Sequence, residues 1–162
     1  MKKKDNIPEK SVLIAINPPR SIHEGVMDIR RFISQETGND VYNGPKNPHI
    51  TLYINSFYDL EKVDGKVEEI ARKYRPFYAN VERLHTFNED PITKSSTIVY
   101  KVQRTPEISG LQKEIVDSVK DLRSPSQTEW LLQQNQGYSE ANLKNIREYG
   151  FPFGPDDYIF HC

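Results

Sequence analysis

The chain has 162 residues, with Lys+Arg 22 against Asp+Glu 23 and a formal net charge of -1; apolar residues make up 36% of it and the mean hydropathy is -0.73. That length fits a single domain with a modest core. The balanced charge excludes nucleic-acid binding through bulk positive charge, though not through a local basic groove. One cysteine, Cys162, excludes a disulfide scaffold and a Cys-based zinc cluster. No apolar run approaches the ~20 residues that a membrane helix needs. Met1-Lys2-Lys3-Lys4-Asp5 lacks the apolar segment of a secretory signal, so a soluble cytoplasmic protein is expected.

In chain order, Ser11 to Ile16 reads as a buried strand stopped by Pro18-Pro19. Ser21-Ile22-His23-Glu24 has the form of a capping box, and Ile22, Val26, Ile29 and Ile33 follow at helical spacing, with Gly38 as the stop. His49 to Ile54 alternates, as a second strand does. Asp59 is expected to cap a helix with Leu60, Val63, Val67, Ile70 and Tyr74 as its buried stripe and Pro76 as its end. Phe77–Phe87 and Ser95–Val102 read as strands around a turn at Asn88–Pro91. Thr105-Pro106 opens a helix with Ile108, Leu111, Ile115, Val119 and Leu122 inward. Ser126 and Glu129 form a second capping box before Trp130, and Gln133 to Gln136 reads as a surface loop. Ser139–Tyr149 is a helix with Leu143 and Ile146 inward and Gly150 as its stop; after the turn at Phe151–Pro155, Asp157 to Cys162 begins a strand. Segregated helices and hairpins point to an α+β fold rather than a doubly wound parallel sheet.

Pro48-His49-Ile50-Thr51-Leu52-Tyr53 carries the sharpest chemistry. On a strand, alternate side chains share a face, so His49, Thr51 and Tyr53 point one way and Ile50, Leu52 and Ile54 point into the core. An imidazole beside a hydroxyl can transfer a proton and hold an anionic oxygen. Histidine suits the task because its unperturbed pKa, ~6.5, lies near neutrality. Tyr53 is a candidate to stack on a base, and Arg20 a candidate phosphate contact. The competing interpretation is a solvated strand face with incidental His and Thr. Among the other candidates, His23 falls in the first turn of a helix, where an imidazolium is disfavoured. His85-Thr86-Phe87 lacks the His-x-Thr spacing and reads as a strand residue. Lys2–Lys4 reads as a solvated tail, Asp156-Asp157 as a turn and strand start, and Cys162 has no activating neighbours in sequence.

The His49-Ile50-Thr51 segment resembles the first His-x-Thr/Ser motif of the 2H phosphoesterase superfamily, which includes bacterial 2'-5' RNA ligase-like proteins and cyclic nucleotide phosphodiesterases. Tyr149-Gly150-Phe151-Pro152-Phe153 leading to Tyr158-Ile159-Phe160-His161-Cys162 resembles the approach to the second motif, and His49 and His161 lie 112 positions apart, as the family pattern asks. The resemblance implies a single domain of two related lobes, residues 11–104 and 105–162, each an antiparallel sheet with helices outside, around a central cleft. It implies a phosphodiesterase that works without metal or cofactor on a 2',3'-cyclic phosphate or 2'-5' linkage of RNA ends or small nucleotides, and that is reversible as a ligase. His49 and His161 would be the acid/base pair and Thr51 the oxyanion donor, with Tyr53 and Arg20 on the substrate. No membrane and no obligate protein partner is implied. The motif calls for Thr or Ser two places after its His. The sequence ends at Cys162, so Thr51 has no counterpart and the second lobe is expected to be incomplete. A non-catalytic RNA- or nucleotide-binding module that keeps the cleft is the rival expectation, and an interaction domain with incidental histidines the third.

Overall fold

Strand β1 (Val12–Ile16) pairs antiparallel with β2 (Ile50–Asn55), and β3 (Val81–Phe87) with β4 (Thr97–Val102), in a computed structural model that describes residues 11–38, 47–88, 96–134 and 137–162. Among these residues the helices are α1 (Arg20–Thr37), α2 (Leu60–Lys73), α3 (Pro106–Val119), α4 (Pro125–Gln134) and α5 (Glu140–Tyr149), with a 3-10 turn at Lys120–Leu122. The architecture is α+β, two small antiparallel sheets with helices. None of the described helices is long and apolar enough to cross a membrane.

Local chemistry sets most helix ends. The Asp59 carboxylate accepts from Lys62 N at 2.9 Å and Thr105 Oγ1 from Ile108 N at 3.4 Å, each offsetting an orphan donor of a first turn. Pro106 follows at the first helical position, where its missing N–H costs nothing. Ser139 and Asn142 cap α5 reciprocally. Gly38 and Gly150 close α1 and α5 in the left-handed conformation. Two expected capping boxes are absent. α1 starts at Arg20 behind Pro19, whose carbonyl takes Ile22 N and His23 N, so Ser21 lies inside the helix. α4 starts at Pro125, and Ser126 N donates back to Ser124 Oγ at 3.3 Å. Gln133 and Gln134 complete α4 and are not a loop. The expected turn beyond Asn88 and the Lys2–Lys4 tail lie outside the described residues.

The core is one cluster joining Ile14 and Leu52 of the first sheet, Val63 and Ile70 of α2, Ile108, Ile115 and Val119 of α3, Val102 of β4 and Phe160. Burial of such side chains, at about 25 cal/mol per Å² of apolar surface, is the main favourable term. Leu60, expected in the α2 stripe, is instead 51% exposed.

β2 departs from simple alternation. Ile14 faces Tyr53 and Ala15 faces Thr51, so Leu52 has no partner in β1. The bulge moves burial onto Tyr53 and Asn55, while Ile54, expected inward, is partly exposed. The Leu52 carbonyl is taken instead by the buried Gln112 of α3, Nε2 to O 3.1 Å.

Residues 160–162 add to the edge of β4. Tyr100 N donates to Cys162 O at 2.8 Å, Cys162 N to Tyr100 O at 2.9 Å and Val102 N to Phe160 O at 2.9 Å. His161 is thereby set beside Lys101. The sheet that carries the second histidine therefore draws on residues from both sides of position 104.

Candidate active site

Each sheet carries one histidine of the expected pair. His49 stands immediately before β2, on an approach fixed by the buried Pro48. Its Nδ1 lies 2.9 Å from the carbonyl oxygen of Asn47. A carbonyl can only accept, so the ring donates from Nδ1, and in the neutral ring Nε2 is the basic atom. His161 repeats this bond, Nδ1 to the Ile159 carbonyl at 2.7 Å.

The two histidine segments touch at points that bracket both imidazoles. The Thr51 hydroxyl, two residues after His49, hydrogen-bonds the Tyr158 phenol, three residues before His161. Burial pushes the Tyr158 phenol up to about 12, against the pull of that bond, so it stays protonated across the neutral range. The His49 backbone N–H meets the Cys162 sulfur, one residue after His161. Burial raises the Cys162 thiol, with the Arg30 charge and the His49 N–H acting the other way, so the thiol is not a ready nucleophile. Tyr158 also lies nearly parallel to the His161 ring, 6.1 Å between centroids and 22° between planes.

The approach to His161 is held from several sides. Arg104 donates from Nη1 to the Pro155 carbonyl at 2.9 Å and from Nη2 to the Tyr158 carbonyl, and its guanidinium lies over the Phe160 ring at 5.3 Å. Asn145 donates to the Pro152 carbonyl at 3.2 Å and to the Asp157 carboxylate at 3.1 Å. The Tyr149–Phe153 turn is tied to β2 by a polar knot. Tyr53 donates to the Tyr149 carbonyl, and Asn55 Nδ2 lies 3.2 Å from both the Tyr149 and Gly150 carbonyls. Gln127 Nε2 reaches the Ile54 and Gly150 carbonyls at 3.3 Å.

That knot corrects the role expected of Tyr53. It is 5% exposed and its hydroxyl is committed to a carbonyl, so its ring offers no face to a base. The bulge at Leu52 accompanies its burial. Arg20 is exposed at the start of α1 and pairs with Glu24 at 2.7 Å. On the same helix it is Arg30 whose charge reaches Cys162.

Reasoning from the sequence missed Tyr158, Arg104 and Arg30. Tyr158 stands in the quoted approach to His161, but its bond to Thr51 depends on contact across more than a hundred residues. Two hollows adjoin the region. A small one has Thr51, Tyr53, Tyr149 and Tyr158 in its wall. A larger apolar one of about 680 Å³ between β1, α2, α3 and residues 74–81 takes Ile50 and Cys162, the chain neighbours of the two histidines, into its lining. Among the described residues no group of three or more His, Cys, Asp or Glu is gathered as a metal site would need.

The model of a family described as the 2'-5' RNA ligase superfamily matches residues 18–139, about three quarters of the chain. His49 and Thr51 fall inside the match and His161 beyond it. No curated protein and no solved structure shows a significant match.

Proposed function

The chain belongs to the 2'-5' RNA ligase superfamily, and from that premise we propose that it is a phosphodiesterase acting on a 2',3'-cyclic phosphate or a 2'-5' linkage of RNA ends or small nucleotides, with His49 and His161 as paired acid and base. One observation carries this reading: Thr51–Tyr158 and His49–Cys162 contacts bracket both imidazoles, each ring holding its Nδ1 proton on a backbone carbonyl.

The chemistry uses one proton-accepting and one proton-donating ring. The neutral imidazole takes a proton at Nε2 from a water molecule as the water oxygen bonds to phosphorus. The bond from phosphorus to the leaving ribose oxygen breaks, and the protonated imidazole gives that oxygen its Nε2 proton. One ring gains the proton that the other loses, and exchange with solvent resets both. Replacing water by a ribose hydroxyl runs the same step toward ligation. The Thr51 hydroxyl, which donates to the Tyr158 phenol oxygen, can turn that proton to a non-bridging phosphoryl oxygen when a phosphate enters. From α1, Arg30 or the exposed Arg20 supplies positive charge to the phosphate.

The test is hydrolysis of a panel of 2',3'-cyclic nucleotides and 2'-5' oligonucleotides in EDTA. Turnover by the wild type that is lost in both His49→Ala and His161→Ala supports the reading. Equal turnover in all three proteins removes it, and binding of the panel without turnover would favour the non-catalytic module.

A further inference from the structure

His85 and Phe87 lie two apart on β3, on the face they share with Val99 and Thr97 of β4. Their ring centroids are 4.9 Å apart with planes at 77°. Phe87 in turn meets the His161 ring at 5.1 Å and 66°. Tyr158 lies against the same imidazole, nearly parallel to it. Both edge-to-face contacts fall at the separations aromatic pairs favour.

From this ladder we propose that Phe87 is a positioning residue for His161, and that His85 acts through Phe87 by fixing its ring. The Nδ1 bond to the Ile159 carbonyl sets which nitrogen carries the proton. Phe87 and Tyr158 hold the ring itself from two further directions. The reacting Nε2 is then held on one line toward the phosphate, which is what a proton donor or acceptor needs. His85 lacks the spacing of the two motif histidines because its task is different: Phe87 touches both His85 and His161. The catalytic consequence rests on the paired-histidine reading; the positioning of the ring does not.

Four variants test it: Phe87→Leu, Phe87→Tyr, His85→Phe and His85→Ala. Phe87 is partly exposed near the end of its strand, so each is expected to fold. Phe87→Leu keeps apolar bulk but loses the ring, and kcat should fall about tenfold with KM unchanged, since small misplacement of a reacting group is costly. Phe87→Tyr and His85→Phe keep a ring and should stay within about twofold of wild type, whereas His85→Ala should fall between them and Phe87→Leu. Wild-type kcat in Phe87→Leu, or a loss confined to KM, overturns the proposal. So does a loss in His85→Phe as deep as that in His161→Ala, which would give His85 a chemical role of its own. A second readout needs no turnover. In NMR spectra the ring protons of His161 should shift in Phe87→Leu and hold in Phe87→Tyr. If the wild type turns over none of the substrate panel, the paired-histidine reading fails while these shifts still decide the positioning. Unmoved His161 resonances in Phe87→Leu overturn it.

Discussion

His49 and His161 make the same hydrogen bond: each imidazole donates from Nδ1 to the carbonyl two residues before it, Asn47 at 2.9 Å and Ile159 at 2.7 Å. A bond of this kind fixes the tautomer and the orientation of a ring without needing a carboxylate. Two rings prepared alike can take opposite parts only by differing in protonation. The rate of phosphodiester cleavage is therefore expected to be bell-shaped in pH, rising as the base loses its proton and falling as the acid does. A profile that rises to a plateau would show that a single titrating group suffices.

The Thr51–Tyr158 bond joins β2 to the segment that leads to His161. Thr51→Val should cost about 100-fold in kcat if its hydroxyl meets a charge-bearing oxygen. Tyr158→Phe should cost about tenfold, since it removes only the bond that orients Thr51, together with about 1 kcal/mol of stability. The order of the two losses is the measurement that matters. A Tyr158→Phe loss larger than that of Thr51→Val would make Tyr158 the donor.

Gly150 and Gly38 both close helices at positive φ, +71° and +66°, but in different surroundings. A Cβ at Gly38 meets nothing within 4 Å. At Gly150 it would collide with Asn55 Nδ2 and come within 2.9 Å of Arg123 Nη1 and 3.2 Å of Thr128 Oγ1. Gly38→Ala should cost about 1 kcal/mol, the left-handed penalty alone. Gly150→Ala should cost more, about 2–4 kcal/mol, because it breaks the polar knot under the second histidine segment. Denaturant unfolding of the two variants side by side measures the difference; equal losses would show that the knot contributes nothing.

Much of this scaffold was legible from short-range signals. Asp59, Thr105, Ser139, Gly38 and Gly150 act on their own helix ends, so their roles follow from the neighbouring residues. The starts of α1 and α4 differ from the expected capping boxes because Pro19 and Pro125 set the entry before the serines that resemble caps. The inward turn of Tyr53 was not legible. It depends on a bulge that exists only when β2 pairs with β1, thirty-odd residues away. The spacing of His85 marks no role, yet its contact with Phe87, and that of Phe87 with His161, arise from the register of β3 with β4 and of β4 with the C-terminal residues. Contacts of this length carry no local mark in the chain.

Two buried tyrosines set an alkaline limit. Burial raises Tyr53 and Tyr158 from 10.0 to about 12 each. The unfolded chain loses these protons near the ordinary value while the folded one keeps them, so νN exceeds νU between the two and stability falls as pH rises. The stabilisation is fully present below pH 10 and is lost toward pH 12, on the order of 2 kcal/mol for each tyrosine. Chemical denaturation across that window should show a shallower decline in Tyr158→Phe than in wild type; parallel declines would contradict the buried, protonated phenol.

The most direct measurement is a double-mutant cycle on His49 and His161, reading kcat on the best substrate of the cyclic phosphate and 2'-5' panel. Groups that act on one phosphorus as a unit do not lose activity additively. His49→Ala and His161→Ala should each cost about 100-fold to 10,000-fold, and the double variant should fall no further than the worse single. Losses that multiply, or a single variant that keeps wild-type turnover, would mean that the two rings do not serve one reaction.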